Sequence, residues 1–274
     1  FFLLLAAVLP AAEKIGIAKG SEHWAFQSVE RPLLPTVRAK DWPRNSIDHF
    51  ILARLEKVGL QPAPTADPLD LQRRIHYALT GLPPSGSLET QKSLIERLMA
   101  TPQYGERWAR HWLDVVRYAD SNGLDENAAH ANAWRYRDYV VRSFNKDKPY
   151  SEFLVEQIAG DLLPSKDDAQ RREQNIATGF LSLGPKVLAE PDKMKMEMDI
   201  IDEQIDTLGK ALLGLTLGCA RCHDHKFDPI PTADYYALAG IFKSTKTMES
   251  LKTIAKWHEH SFATPAHEEL KKKH

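Results

Sequence analysis

From Asn45 onward, apolar residues recur at three- and four-residue intervals, the period of a helix with one buried face. Ile47, Phe50, Ile51, Leu55 and Val58 form the first such stripe, and Gly59 stops it. Asp67 and Pro68 read as N-cap and first-turn proline of a helix carrying Leu71, Ile75 and Ala78, which Gly81-Leu82-Pro83-Pro84 ends. Ser87 is expected to open a helix with Leu94, Ile95 and Leu98. Thr101-Pro102 opens the next, where Tyr104, Trp108, Trp112, Val115 and Ala119 make an aromatic-rich stripe. A polar loop over 120–131 leads to a helix over about 134–144. Ser151 then caps a helix with Leu154, Ile158 and Leu162, with Pro164 beyond. The clearest period follows Pro191: Met194, Met198, Ile201, Ile205, Leu208, Leu212 and Leu215 step by four and three, with Gly218 as the expected C-cap.

Alternating runs of β-branched residues are nearly absent, so the pattern predicts an all-α fold, a multi-helix bundle-like domain over 21–245. Residues 21–44 mix prolines with Trp24, Phe26 and Trp42 and lack a helical period. They predict an extended N-terminal arm whose aromatic side chains pin it to the core. The first residues, Phe1-Phe2-Leu3-Leu4-Leu5-Ala6-Ala7-Val8-Leu9 and then Pro10-Ala11-Ala12, resemble the apolar core and cleavage zone of a secretory signal clipped at its start. On that reading residues 1–12 direct export, to a periplasmic or extracellular location. Residues 246–274 end in Lys271-Lys272-Lys273-His274 and are expected to be a solvated tail or the start of a further domain.

Composition narrows the functional classes. With 36 Lys and Arg against 37 Asp and Glu in 274 residues, the net charge of −1 argues against a nucleic-acid partner. A mean hydropathy of −0.41, with no apolar run of about 18 residues, predicts no membrane span in the mature chain. There are only 2 cysteines, so no disulfide framework is expected.

Both cysteines lie in Cys219-Ala220-Arg221-Cys222-His223, which matches the C-x-x-C-H pattern of covalent haem attachment. Two thiols at that spacing each add to one vinyl group of the porphyrin, and the adjoining imidazole becomes the proximal iron ligand. Cys219, Cys222 and His223 are therefore the candidate haem c residues. Other readings remain open at this point. A thioredoxin-like redox pair needs a strand before it and a helix starting on it. A zinc site would draw on Cys219, Cys222, His223 and His225 or Asp224, and a structural disulfide or idle thiol pair would need no cofactor. Asp224, His225 and Asp228 are further metal-ligand candidates or orienting partners of the motif. For a sixth haem ligand, Met194 and Met198 fall on the helical seam and read as core, whereas Met196 lies off it. His111 and His130 are alternatives.

The segment Gly218-Cys219-Ala220-Arg221-Cys222-His223-Asp224-His225-Lys226-Phe227-Asp228-Pro229-Ile230 resembles the signature of the planctomycete cytochrome-c-like domain, a family of unknown function found in large exported proteins. The likeness extends to Trp24-Ala25-Phe26, Leu79-Thr80-Gly81-Leu82-Pro83-Pro84, Tyr104-Gly105-Glu106-Arg107-Trp108, His111-Trp112-Leu113-Asp114, Gln157-Ile158-Ala159-Gly160-Asp161-Leu162 and Asp234-Tyr235-Tyr236. The resemblance implies a c-type module that exchanges electrons with a redox partner protein or with a covalently linked downstream domain.

A second constellation keeps another class of function in play. His111, Asp114, Arg117 and Tyr118 fall at three- and four-residue intervals and are expected on one helix face, with Asp120, Arg135, Arg137, Asp138 and Asp161 nearby in sequence. Such a set is either an ion-pair network or, with His111, Asp114 and Asp161 as catalytic candidates beside Asp224 and His225, the site of a secreted hydrolase or accessory domain acting on polysaccharide. That hydrolase would use zinc or calcium.

Overall fold

The structure, a computed structural model, describes residues 22–273 apart from 125, 253 and 264; the expected signal over 1–12 lies outside them. Ten helices follow in order: α1 Ser46–Lys57, α2 Pro68–Leu79, α3 Gln91–Met99, α4 Pro102–Val115, α5 Ala133–Asn145, α6 Tyr150–Ala159, α7 Asp168–Ala177, α8 Lys193–Leu208, α9 Thr232–Lys243 and α10 Pro265–Lys273. The only sheet among the described residues is a two-stranded antiparallel ribbon, β1 Met248–Ser250 with β2 Lys256–Trp257. The protein is all-α, as the periodicity predicts. No helix among the described residues is long and apolar enough to cross a membrane.

Local chemistry sets most of the helix starts. Asn45 accepts from the Ile47 and Asp48 N–H groups while Asp48 reaches back, a capping box. Asp67 caps α2 with Pro68 in its first turn. Thr90, not Ser87, caps α3, because its hydroxyl reaches Ser93 N–H. α7, α9 and α10 are not expected from the pattern: in α7 only Ala169, Ile176 and Ala177 are apolar, and a polar sequence with few apolar positions carries little periodic signal.

The core is built from α4 to α9. Trp112 meets Phe153 edge-on at 5.0 Å, and Tyr139 stacks on Phe153 at 5.9 Å. Trp112 Nε1–H donates to Tyr136 Oη and Gln157 Oε1, each at 3.0 Å, so the polar edge of this aromatic cluster is satisfied. Gly160 allows the α6 end to touch α7, since a Cβ there would stand 2.1 Å from the Gln174 carbonyl oxygen.

Several expected faces are turned. The α1 stripe looks outward, with Ile47, Phe50, Ile51 and Val58 exposed and Leu52 the buried position. On α6 the inward residues are Phe153, Glu156 and Gln157, one position before the expected row, and Leu162 is exposed. The arm is held by Val37, which is buried, and by Glu56, whose carboxylate accepts the Arg38 and Ala39 N–H groups; Trp24 and Phe26 are exposed. The expected tail returns to the body: Ala255 is buried and its N–H donates to the Leu188 carbonyl at 2.8 Å.

α8 departs most from its expected seam. Met196, Ile200, Ile201, Gln204 and Ile205 point inward, whereas Met194 is exposed. The helix does not run to Gly218. It widens into a π turn over Gly209–Leu213 and stops at Gly214, whose φ of +67° is the left-handed conformation glycine tolerates best. A short 3-10 turn, Leu217–Arg221, then carries the cysteine motif.

Candidate functional site: the Cys219–Asp228 loop

The 3-10 turn orients the motif. Side chains three residues apart eclipse one another in a 3-10 turn, so Cys219 and Cys222 share a face. Ala220, between them, is wholly buried and sets that face outward. Both thiols are free and exposed. Arg221 anchors the turn, donating from Nη2 to Asp199 Oδ1 at 2.9 Å and pairing with Asp202 at 3.3 Å, both on α8. Tyr235 Oη–H donates to Asp202 Oδ1 at 2.6 Å and Tyr236 Oη–H to the Arg221 carbonyl at 3.2 Å, so α9 holds the same turn from the other side. The Arg221–Asp199–Asp202–Tyr235 clamp was missed from sequence. Its visible trace is the acidic row Asp199, Asp202 and Asp206 on α8, set at helical spacing.

The two histidines of the loop are opposites. His223 is exposed, and its Nδ1 lies 2.7 Å from the Asp224 carbonyl oxygen. A carbonyl only accepts, so Nδ1 carries the hydrogen of this contact, and Nε2 is the ring nitrogen it leaves over. His225 is turned in, its side chain 5% exposed. Its Nδ1 accepts the Asp228 N–H at 2.9 Å, which leaves Nε2–H to donate to Thr216 Oγ1 at 2.9 Å. Both ring nitrogens of His225 are thus spent on closing the loop. Asp228 lies beside the same ring, with Oδ2 3.2 Å from Nδ1. Asp224 Oδ1 accepts the Thr232 N–H at 2.8 Å and caps α9 from outside the helix. Asp224, His225 and Asp228 therefore build the loop that positions His223.

The remaining candidates are dispersed. His111 stands exposed against Trp108, at 5.6 Å between ring centroids, and Asp114 lies 3.9 Å from Arg110 on the same outer face. Arg117 does not share that face: past the end of α4 it takes φ +54° and turns inward to pair with Glu203 of α8. Tyr118 donates to Asp120 at 2.7 Å, Arg137 pairs with its neighbour Asp138, and Asp161 sits in the turn after α6, its carbonyl accepting from Arg171. Among the described residues, no three His, Cys, Asp or Glu side chains converge as a metal site. Met196 is in a small core cluster with Leu188, Ile200 and Ala255, which corrects its reading as an available sixth ligand. His130 packs on Trp257 at 5.2 Å, and burial together with nearby Lys186 holds its imidazole below the ordinary histidine range.

Set against covalent haem, the donor set fits. Both thiols are free and exposed, and the next residue offers an imidazole whose Nδ1 is held by a backbone carbonyl. The motif lies on open surface, outside both the large cleft near Trp257 and the shallow apolar depression on α1.

No curated protein and no solved structure matches the chain. The model of the PSCyt2 family, described as a protein of unknown function (DUF1549), matches residues 46–247, and on that match the chain belongs to this family.

Proposed function

We propose that this chain is an exported c-type electron-transfer module that carries one haem on Cys219 and Cys222, with His223 Nε2 as proximal ligand. The observation that carries this reading is the His223 hydrogen bond: its Nδ1–H is held by the Asp224 carbonyl, which leaves Nε2 for a metal, in the residue next to two free, exposed thiols. Attachment needs only addition, each S–H crossing a vinyl double bond to give a thioether, with the hydrogen passing to carbon and nothing leaving. Bound haem supplies a reversible one-electron couple at its iron. The protein's own part is positional. Ala220 and the Arg221 clamp keep both sulfurs on one face, His225 closes the loop, and Asp224 sets the His223 carbonyl contact. Surface exposure of the motif suits exchange with a redox partner protein or a linked downstream domain, and the signal-like segment over 1–12 suits the compartment in which such attachment takes place.

The test is expression of the full chain with a c-type haem maturation system, followed by intact mass and a pyridine haemochrome spectrum. The expected result is a mass increase of one haem and a c-type spectrum, both lost in a Cys219→Ser, Cys222→Ser double variant. His223→Ala should keep the thioethers and alter the iron spectrum. Both thiols remaining titratable in the matured protein, with no haem spectrum, overturns the proposal.

A further inference from the structure

A broad cleft lies away from the cysteine motif. Its walls are the 128–132 loop with the start of α5, the end of α7 with the turn after it, and the 254–263 segment returning from the ribbon, and they enclose a cavity of about 940 Å³. That is at the upper end of the range for small-molecule sites. Its charged and imidazole lining is Arg135, Lys256, His130, His258 and His260 with Glu259, and His258 is engaged by Glu249 at 2.9 Å. Arg135 lies over the Trp134 ring at 4.5 Å and pairs with no carboxylate among the described residues, whereas Glu259 is engaged by Asn132 Nδ2–H at 3.2 Å. Asn132 also holds Arg135 in place, accepting from its Nε–H at 3.2 Å. Asn132 makes no side-chain capping bond, and the first N–H groups of α5 are taken by backbone, Ala133 N–H by the His130 carbonyl and Arg135 N–H by the Asn132 carbonyl, each at 3.0 Å, so the charge that α5 brings to the cleft wall is the Arg135 guanidinium.

Charges of both signs act on His130 in the wall, Lys186 against Glu259 and Asp120. Lys186 is buried with its ammonium over the Trp257 ring at 5.2 Å, and it shares the Glu203 carboxylate with Arg117, so two cations meet one anion. His130, in the same lining, has its Nε2 enclosed without a hydrogen-bond partner.

We infer that this cleft binds a small molecule bearing an oxyanion (carboxylate, sulfate or phosphate), with Arg135 as its principal charge contact at the α5 start. A neutral ligand would leave Arg135 without a counter-ion, whereas an oxyanion meets the guanidinium nitrogens that Asn132 does not use.

Isothermal titration of the full chain at fixed ionic strength, with glucuronate, inorganic sulfate and inorganic phosphate as separate probes and glucose as the neutral control, tests this. The expected result is saturable binding of at least one anion and none of glucose, weakened at least tenfold by Arg135→Ala; the anion that binds identifies the headgroup. In parallel, the His130 side-chain ¹⁵N shifts of the unaltered protein should move with the same saturation curve, a readout that does not depend on the variant folding. Binding of no anion, binding unchanged by Arg135→Ala, or saturation that leaves His130 unmoved overturns the inference. None of these outcomes involves the cysteines.

Discussion

At the scale of single residues, the least expected feature is the charge trio inside the molecule. Glu203 receives both Arg117 and the buried Lys186, whose ammonium lies 2.9 Å from the carboxylate and also donates to the Ser182 carbonyl at 2.9 Å. Burial lowers the Lys186 pKa, and Glu203 opposes that shift. Removing the shared anion leaves two cations facing each other in a dry site. Glu203→Ala is therefore expected to cost about 3–5 kcal/mol, read from urea unfolding. Adding Lys186→Met should recover part of that loss; an additive loss would contradict the shared-anion account. Arg117 stood with His111 and Asp114 in the sequence pattern because helical spacing assumes the helix continues. It stops at Val115, and the left-handed turn at Arg117 sends the side chain to the other side.

At the scale of elements, the end of α8 decides where the cysteines sit. A Cβ on Gly209 would stand 2.6 Å from Leu217 Cγ and 2.8 Å from the Leu215 carbonyl oxygen, so this glycine lets the chain fold back tightly enough to place the 3-10 turn against α8. Gly209→Ala should push that turn away, destabilising the protein by about 1–3 kcal/mol in urea unfolding. Faster labelling of Ala220-flanking Cys219 and Cys222 by a bulky thiol reagent would accompany it. Unchanged stability and labelling would mean that Leu217 moves aside freely. The heptad-like row of α8 did not reveal this break. Apolar residues continue through Leu212 and Leu215, and only the backbone at Gly209 and Gly214 distinguishes a continuing helix from a π turn and reversal.

For the whole molecule, buried imidazoles set the acid response. His76 is 2% exposed with Nε2 unpartnered, and burial first, then Arg97, holds its pKa below 6.5. Burial and Lys186 do the same for His130. Between the ordinary histidine pKa and these lowered values, the unfolded chain binds more protons than the native one, so stability falls as pH drops below about 6.5 and levels off once the native imidazoles protonate. Urea midpoints between pH 8 and 5 should show this decline, and His76→Leu should flatten it; a slope unchanged by that variant would assign the effect elsewhere.

The sequence alone determined the helical class and the starts of α1, α2, α4, α5 and α8, and it singled out Cys219, Cys222 and His223 as candidates, because capping and apolar period act over a few residues and C-x-x-C-H is contiguous. It also marked Asp224, His225 and Asp228 as belonging with the motif. Only the tertiary structure decided their roles as loop supports, the outward face of α1, the burial of Met196, the return of residues 248–257 and the cleft lined by Arg135. Each of these depends on which distant side chain lies across a contact, and period and spacing record only the near neighbours along the chain.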